Sequence, residues 1–168
     1  MTPPNRLYIS ICGPGVASSE EEALAQEVGR LVAAAGAVLV CGGMTGVMDA
    51  AARGAEREGG VSIGILPGPD RAGASPHLTY SLPTGMAEGR NVLVARAADA
   101  LIAVAGEFGT LSEIAFALKI GVPVVGLKTW QLHRRGRPVE AFKAVQTPEE
   151  AVSTALELAR RGRGPPNG

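Results

Sequence analysis

The residues best suited to chemistry are Arg90, Glu113 and the glycines of two turns, each lying between an apolar segment and a helical one. The first turn reads VLVCGGMTGVMDAA and holds Gly42, Gly43, Met44, Thr45 and Gly46. The second reads ALIAVAGEFGTLSEIAFAL and holds Gly106, Phe108, Gly109, Thr110 and Glu113. Glycine lets backbone amides approach a ligand, and a helix start adds N–H groups without intrahelical partners. Two such turns suit two parts of one anionic, phosphorylated small molecule. A third glycine turn, Gly13-Pro14-Gly15, adds Gly13 and Gly15 as candidate ligand contacts; a tight turn alone explains it too.

Arg90 has a planar fork that suits phosphate or carboxylate, and Asn91 beside it adds a hydrogen bond. Thr110 and Glu113 stand three residues apart, the spacing of a capping box, which predicts a helix from Thr110 to Ile120. That position predicts a low pKa and an ionised Glu113. An ionised carboxylate near a ribose would stabilise positive charge at the sugar carbon or orient a water as a glycosidic bond breaks. Helix capping explains the same pair without chemistry.

Other chemistries find less support. The dinucleotide fingerprint is incomplete, with Cys41 where an acidic residue would end the second strand, and the Walker lysine is missing. Cys12 and Cys41 match no metal motif or disulfide framework and read as buried small side chains. His77 and His133 are too isolated for a metal pair, so no metal site is expected. Sixteen basic residues balance sixteen acidic ones, so no general field attracts nucleic acid. With no leader and no membrane-spanning run, a cytoplasmic protein is expected.

The elements that must position these residues are short apolar strands alternating with amphipathic helices. Strands are predicted at 7–12, 37–41, 61–66, 78–82, 100–104, 123–127 and 139–145. Helices are predicted from Ser18 or Ser19 to about 35, over 45–58, 85–98 and 110–120, and from Thr147 to near Arg161, leaving 162–168 disordered. The loop 128–138 reads as polar and mobile. This pattern predicts one α/β domain over 1–168, with an ordered core of about 6–160. Its expected form is Rossmann-like: a doubly wound, mostly parallel sheet with helices on both faces. Ligands of such sheets sit beyond the carboxyl ends of the strands, where the unusual glycines fall.

The segments GGMTGVM (42–48), MAEGRNVLVARAAD (86–99) and GEFGTLSE (106–113) carry a resemblance over about residues 6–160. The chain resembles the Rossmann-like proteins long labelled "possible lysine decarboxylase", which include phosphoribohydrolases that activate cytokinins. It looks closer to a bacterial branch related to molybdenum-cofactor carrier proteins. The hydrolase motif PGGxGTxxE is matched at Gly106, Gly109, Thr110 and Glu113, with Ala105 for the proline and Glu107 for the second glycine. The arginine of M-H-x-R-K falls on Arg90, with Gly89 just before it and Asn91 at the lysine. The resemblance implies nucleotide binding, with Arg90 and Glu113 carrying any hydrolysis of a nucleoside 5'-monophosphate to base and ribose 5-phosphate, without a required cofactor. Its alternative is a non-catalytic carrier of molybdenum cofactor or a nucleotide sensor. It also implies a homodimer or larger homo-oligomer, with helix 85–98 as the candidate contact. Decarboxylation is not expected: Lys119, Lys128 and Lys143 read as surface lysines rather than a pyridoxal site.

Overall fold

The structure is a computed structural model that describes residues 6–162. Apart from Gly162, the expected C-terminal disorder lies outside the described residues, as do residues 1–5.

The strands are β1 (Tyr8–Cys12), β2 (Val38–Cys41), β3 (Val61–Leu66), β4 (Tyr80–Pro83), β5 (Ala100–Val104), β6 (Val124–Leu127), the hairpin β7 (His133–Arg134) and β8 (Arg137–Pro138), and β9 (Lys143–Val145). The helices are α1 (Ser19–Ala34), α2 (Val47–Arg57), α3 (Asn91–Arg96), α4 (Phe108–Lys119) and α5 (Pro148–Arg161), with a 3-10 turn at Ala87–Arg90 before α3. Seven strands form one sheet in the order β4-β3-β2-β1-β5-β6-β9, and every pairing in it is parallel. Strands buried on both faces need apolar side chains at every position, and β2, β5 and β6 are buried throughout.

Helices cover both faces. One core cluster joins Ile9, Ile11, Leu39 and Ile102 to Val28 and Val32 of α1, Ala51 of α2 and Ala155 of α5. A second joins Cys12, Leu101 and Val124 to Ala95 of α3 and Ile114 of α4, and a smaller third groups Val40, Ile65 and Val94. Each fully buried Val, Leu or Ile is worth roughly 1.5–3 kcal/mol, so these layers dominate stability. The chain winds outward from β1 to β4, returns through β5 beside β1, then continues the other way. Strand order therefore reverses between β1 and β5, where the loops after these strands diverge and leave a crevice.

Local signals set several boundaries. Ser18 and Glu21 form the expected capping box on α1, and Thr147 accepts from the Glu150 amide at the start of α5. Helix 85–98 is shorter than expected. Gly85 (φ 66) and Ala87 (φ 48) take left-handed backbone, so the segment opens as a bend and a 3-10 turn, and the α-helix begins only at Asn91. The α2 helix starts at Val47 rather than Thr45, because Gly46 has φ 62. Residues 128–138 contain the β7–β8 hairpin. The strand expected over 139–145 is confined to β9.

Candidate functional site at the strand-order reversal

A cleft of about 330 Å³ opens at this reversal. The loop after β1 supplies Gly13, Pro14 and Gly15. The segment before α3 supplies Ala87, Glu88, Arg90 and Asn91, and α4 with its approach supplies Glu107, Gly109, Thr110 and Glu113. Met48 and Pro67 complete the wall. Of the residues singled out from sequence, Gly13, Gly15, Arg90, Asn91, Gly109, Thr110 and Glu113 thus come together. Gly42, Gly43, Met44, Thr45, Gly46, Gly106 and Phe108 are not among the lining residues.

The first expected phosphate turn is tied to the Gly13–Gly15 loop. Val47 N–H donates to the Pro14 carbonyl at 3.0 Å, and Thr45 Oγ1 donates to the Gly15 carbonyl at 2.7 Å. The Gly43 amide turns to the Cys41 sulfur. The 42–46 turn therefore buttresses the Gly13–Gly15 loop from behind. Gly42 lies against the arginine: a Cβ there would collide with Nη1 of Arg90 and stand 2.6 Å from Met48 Sδ. Asp49, in the first turn of α2, accepts from Ser75 Oγ at 2.7 Å.

Arg90 sits at the joint between the 3-10 turn and α3, and its neighbours hold that joint still. Ser10 Oγ donates to the Val94 carbonyl at 2.6 Å, tying α3 to β1. Asn91 Nδ2 donates to Ser112 Oγ at 2.9 Å, tying α3 to α4. Arg90 is 8% exposed and Glu113 5%. Arg90 Nη1 stands 3.7 Å from Glu113 Oε1. Cys12, at the end of β1, adds a thiol hydrogen bond to the same carboxyl, a contact that spacing along the chain gave no means to find.

The expectation of a low, ionised Glu113 is overturned. Burial pushes its pKa up to about 7, against the opposing pulls of Arg90 and of the Cys12 hydrogen bond. The reason is local. The α4 helix begins at Phe108, with Glu107 at the cap position and no side-chain cap, so Thr110 and Glu113 form no capping box. Glu113 instead faces inward, one turn into the helix. The Cys12 thiol is raised well above its usual value by the same burial and by Glu113, and that of Cys41 is pushed up to about 12, again chiefly by burial. Both cysteines are thus inert, buried thiols.

Two buried polar atoms on residues that line the cleft lack a protein partner: Nε of Arg90 and Oγ1 of Thr110, the latter on a residue 2% exposed. Buried polar groups are nearly always satisfied, so such a pair marks a place for a ligand or water. The uncapped first turn of α4 adds backbone donors beside them. Ala87 (φ 48), in the cleft lining, holds left-handed backbone, strain of the kind concentrated at binding sites, and so does Ala105 (φ 52) just after β5. Phe108 is 76% exposed, with its ring centroid 5.8 Å from that of Trp130, outside the cleft.

Fold and site together define a Rossmann-like protein with a small cleft, lined in part by charged side chains, at its topological switch point. The chain belongs to the SLOG cluster4 family, whose model matches residues 6–156. An uncharacterized protein of Archaeoglobus fulgidus is 39% identical over 150 residues, covering 89% of this chain and 95% of that one. Among solved structures, the molybdenum cofactor binding protein of the phototrophic bacterium Rippkaea orientalis is similar at a TM-score of 0.84 and 30% identity, over 93% of this chain and 99% of that one. The Moco carrier protein of Chlamydomonas reinhardtii is similar at a TM-score of 0.81 and 30% identity, over 94% and 99% of the two chains. The relationship is thus to the carrier branch and not specifically to a lysine decarboxylase. Among the described residues no group of three or more His, Cys, Asp or Glu is placed to hold a metal ion, and no helix is long and apolar enough to cross a membrane.

Proposed function

We propose that this protein is a carrier-type binding protein for a phosphorylated cofactor, with molybdenum cofactor as its cargo, held at the β1–β5 cleft. The observation that carries the reading is the pair of buried, unpartnered donors, Arg90 Nε and Thr110 Oγ1, beside the uncapped start of α4. These groups are complementary to phosphate oxygens. A cleft of about 330 Å³ lies within the range of small-molecule sites, roughly 300–1,000 Å³. The likeness to two proteins described as molybdenum cofactor binding or carrying supports the choice of cargo.

Each residue has a part in holding the cargo. Arg90 supplies the fixed positive charge from a helix start that Ser10 and Asn91 tie to β1 and α4. Glu113, when protonated, leaves that charge uncompensated for an incoming anion. Met48 and Pro67 give the wall an apolar face. Pro14 and Gly15 bring backbone close to the ligand.

Hydrolysis of a nucleoside 5'-monophosphate is the second reading. One observation favours it: a carboxyl with a pKa of about 7 beside an arginine in a cleft suits proton transfer near neutral pH. Two measurements on the purified protein separate the readings. Calorimetry with molybdenum cofactor, AMP and GMP reports binding, and chromatography of the same mixtures reports free base and ribose 5-phosphate. A carrier binds the cofactor without releasing base, and Glu113→Gln keeps most of the affinity. Release of base, lost in Glu113→Gln, would install the hydrolase in its place. Loss of ligand binding in Arg90→Met with the fold intact is expected in either case, cofactor for the carrier and nucleotide for the hydrolase.

A further inference from the structure

The cleft carries charged groups of both signs. Its floor carries the guanidinium of Arg90 and the hydroxyl of Thr110, both on residues more than nine-tenths buried and both with an atom lacking a partner. Glu88 and Glu107 also line it, and both are exposed. Among the described residues neither carboxylate has an ion pair or hydrogen bond. The lining thus holds one guanidinium and three carboxyl groups, of which only Glu113 is buried. A ligand that is anionic throughout would meet repulsion at the rim. A ligand anionic at one end and rich in N–H donors at the other would satisfy both.

We propose that Glu88 and Glu107 read the non-phosphate end of the ligand, so that the site selects phosphate esters whose heterocycle presents adjacent N–H donors, the 2-amino-4-oxo pattern shared by guanine and pterins. The inference rests on the anion-binding reading of the floor and adds the specificity of the rim. A carboxylate accepts two parallel N–H bonds from that edge, and charged acceptors make the stronger bonds. An edge with a carbonyl in place of the amino group points a lone pair at the carboxylate and is rejected. The same charges orient the ligand, because phosphate is repelled from the rim and drawn to the floor.

The test is calorimetric titration of the full chain with GMP, IMP, XMP and inorganic phosphate. GMP should bind at least tenfold more tightly than IMP, which lacks the 2-amino group, and than XMP, which carries a carbonyl there. Glu88→Gln or Glu107→Gln should shrink that preference to about threefold or less, with phosphate affinity unchanged or raised as the rim repulsion is removed. Both side chains are exposed, so both variants should fold. Equal affinities, tighter binding of XMP, or a preference untouched by either variant would overturn this inference and leave the anion floor standing. Failure of all four probes to bind would overturn the floor and the inference together.

Discussion

Arg90 Nη1 and Glu113 Oε1 face each other at 3.7 Å in a pocket that excludes most water, yet the carboxyl still titrates near 7. Burial costs the charged form more than one imperfectly placed guanidinium restores. The pair is therefore a poor stabilising salt bridge, and in the proposed carrier it serves to hold an anion. An anion that takes Arg90 need not displace a firmly charged partner.

This relationship has a pH signature. The folded-state pKa of Glu113 is raised from the ordinary 4.5 to about 7. Below 4.5 the carboxyl is protonated in both the folded and unfolded chain and imposes no penalty. As pH rises from 4.5 through 7 the unfolded chain releases its proton first, and the folded state loses stability. The loss should be on the order of 3 kcal/mol and level off above pH 7. Urea unfolding at pH 5 and pH 8 should show it in the natural protein and largely remove it in Glu113→Gln. Identical pH profiles for the two would refute the assignment.

Two glycines that look alike in sequence should respond oppositely to alanine. Gly42 has no room, since its Cβ would strike Arg90 and Met48. Gly42→Ala should displace the guanidinium and weaken phosphate binding at least tenfold, as read by calorimetry. Gly109 has nothing within 4 Å of a Cβ and sits in the first turn of α4. Gly109→Ala should leave stability unchanged or raise it by up to about 1 kcal/mol. An unharmed Gly42→Ala protein would remove the buttress role of that turn.

The α1–α2 contact should be the most sensitive part of the scaffold away from the cleft. A Cβ on Gly29 would run into the Ala51 carbonyl, and one on Gly54 into the Gln26 carbonyl. These are backbone atoms and cannot rotate aside. Gly29→Ala and Gly54→Ala should each cost about 2–4 kcal/mol, measured as a lower denaturation midpoint. A change below about 0.5 kcal/mol in both would mean the helices separate more readily than this packing allows.

The sequence by itself determined the layered α/β architecture, because apolar runs, caps and glycine stops are local signals. Ser18 with Glu21 and Thr147 with Glu150 worked as caps because each acts within one turn. Arg90, Glu113, Thr110 and the Gly13–Gly15 loop were legible as a set because strand ends in this fold converge at one edge. Tertiary structure alone decided the rest. Whether Glu113 caps its helix or faces the interior depends on where α4 begins, and with it whether burial or hydration sets its pKa. Whether Gly42–Gly46 touches a ligand or props a neighbouring loop depends on Pro14 and Gly15, some thirty residues away. Cys12 reached Glu113 only because β1 and β5 lie side by side. Charge balance in a cleft depends on which distant side chains share it, and periodicity along one chain carries no record of that.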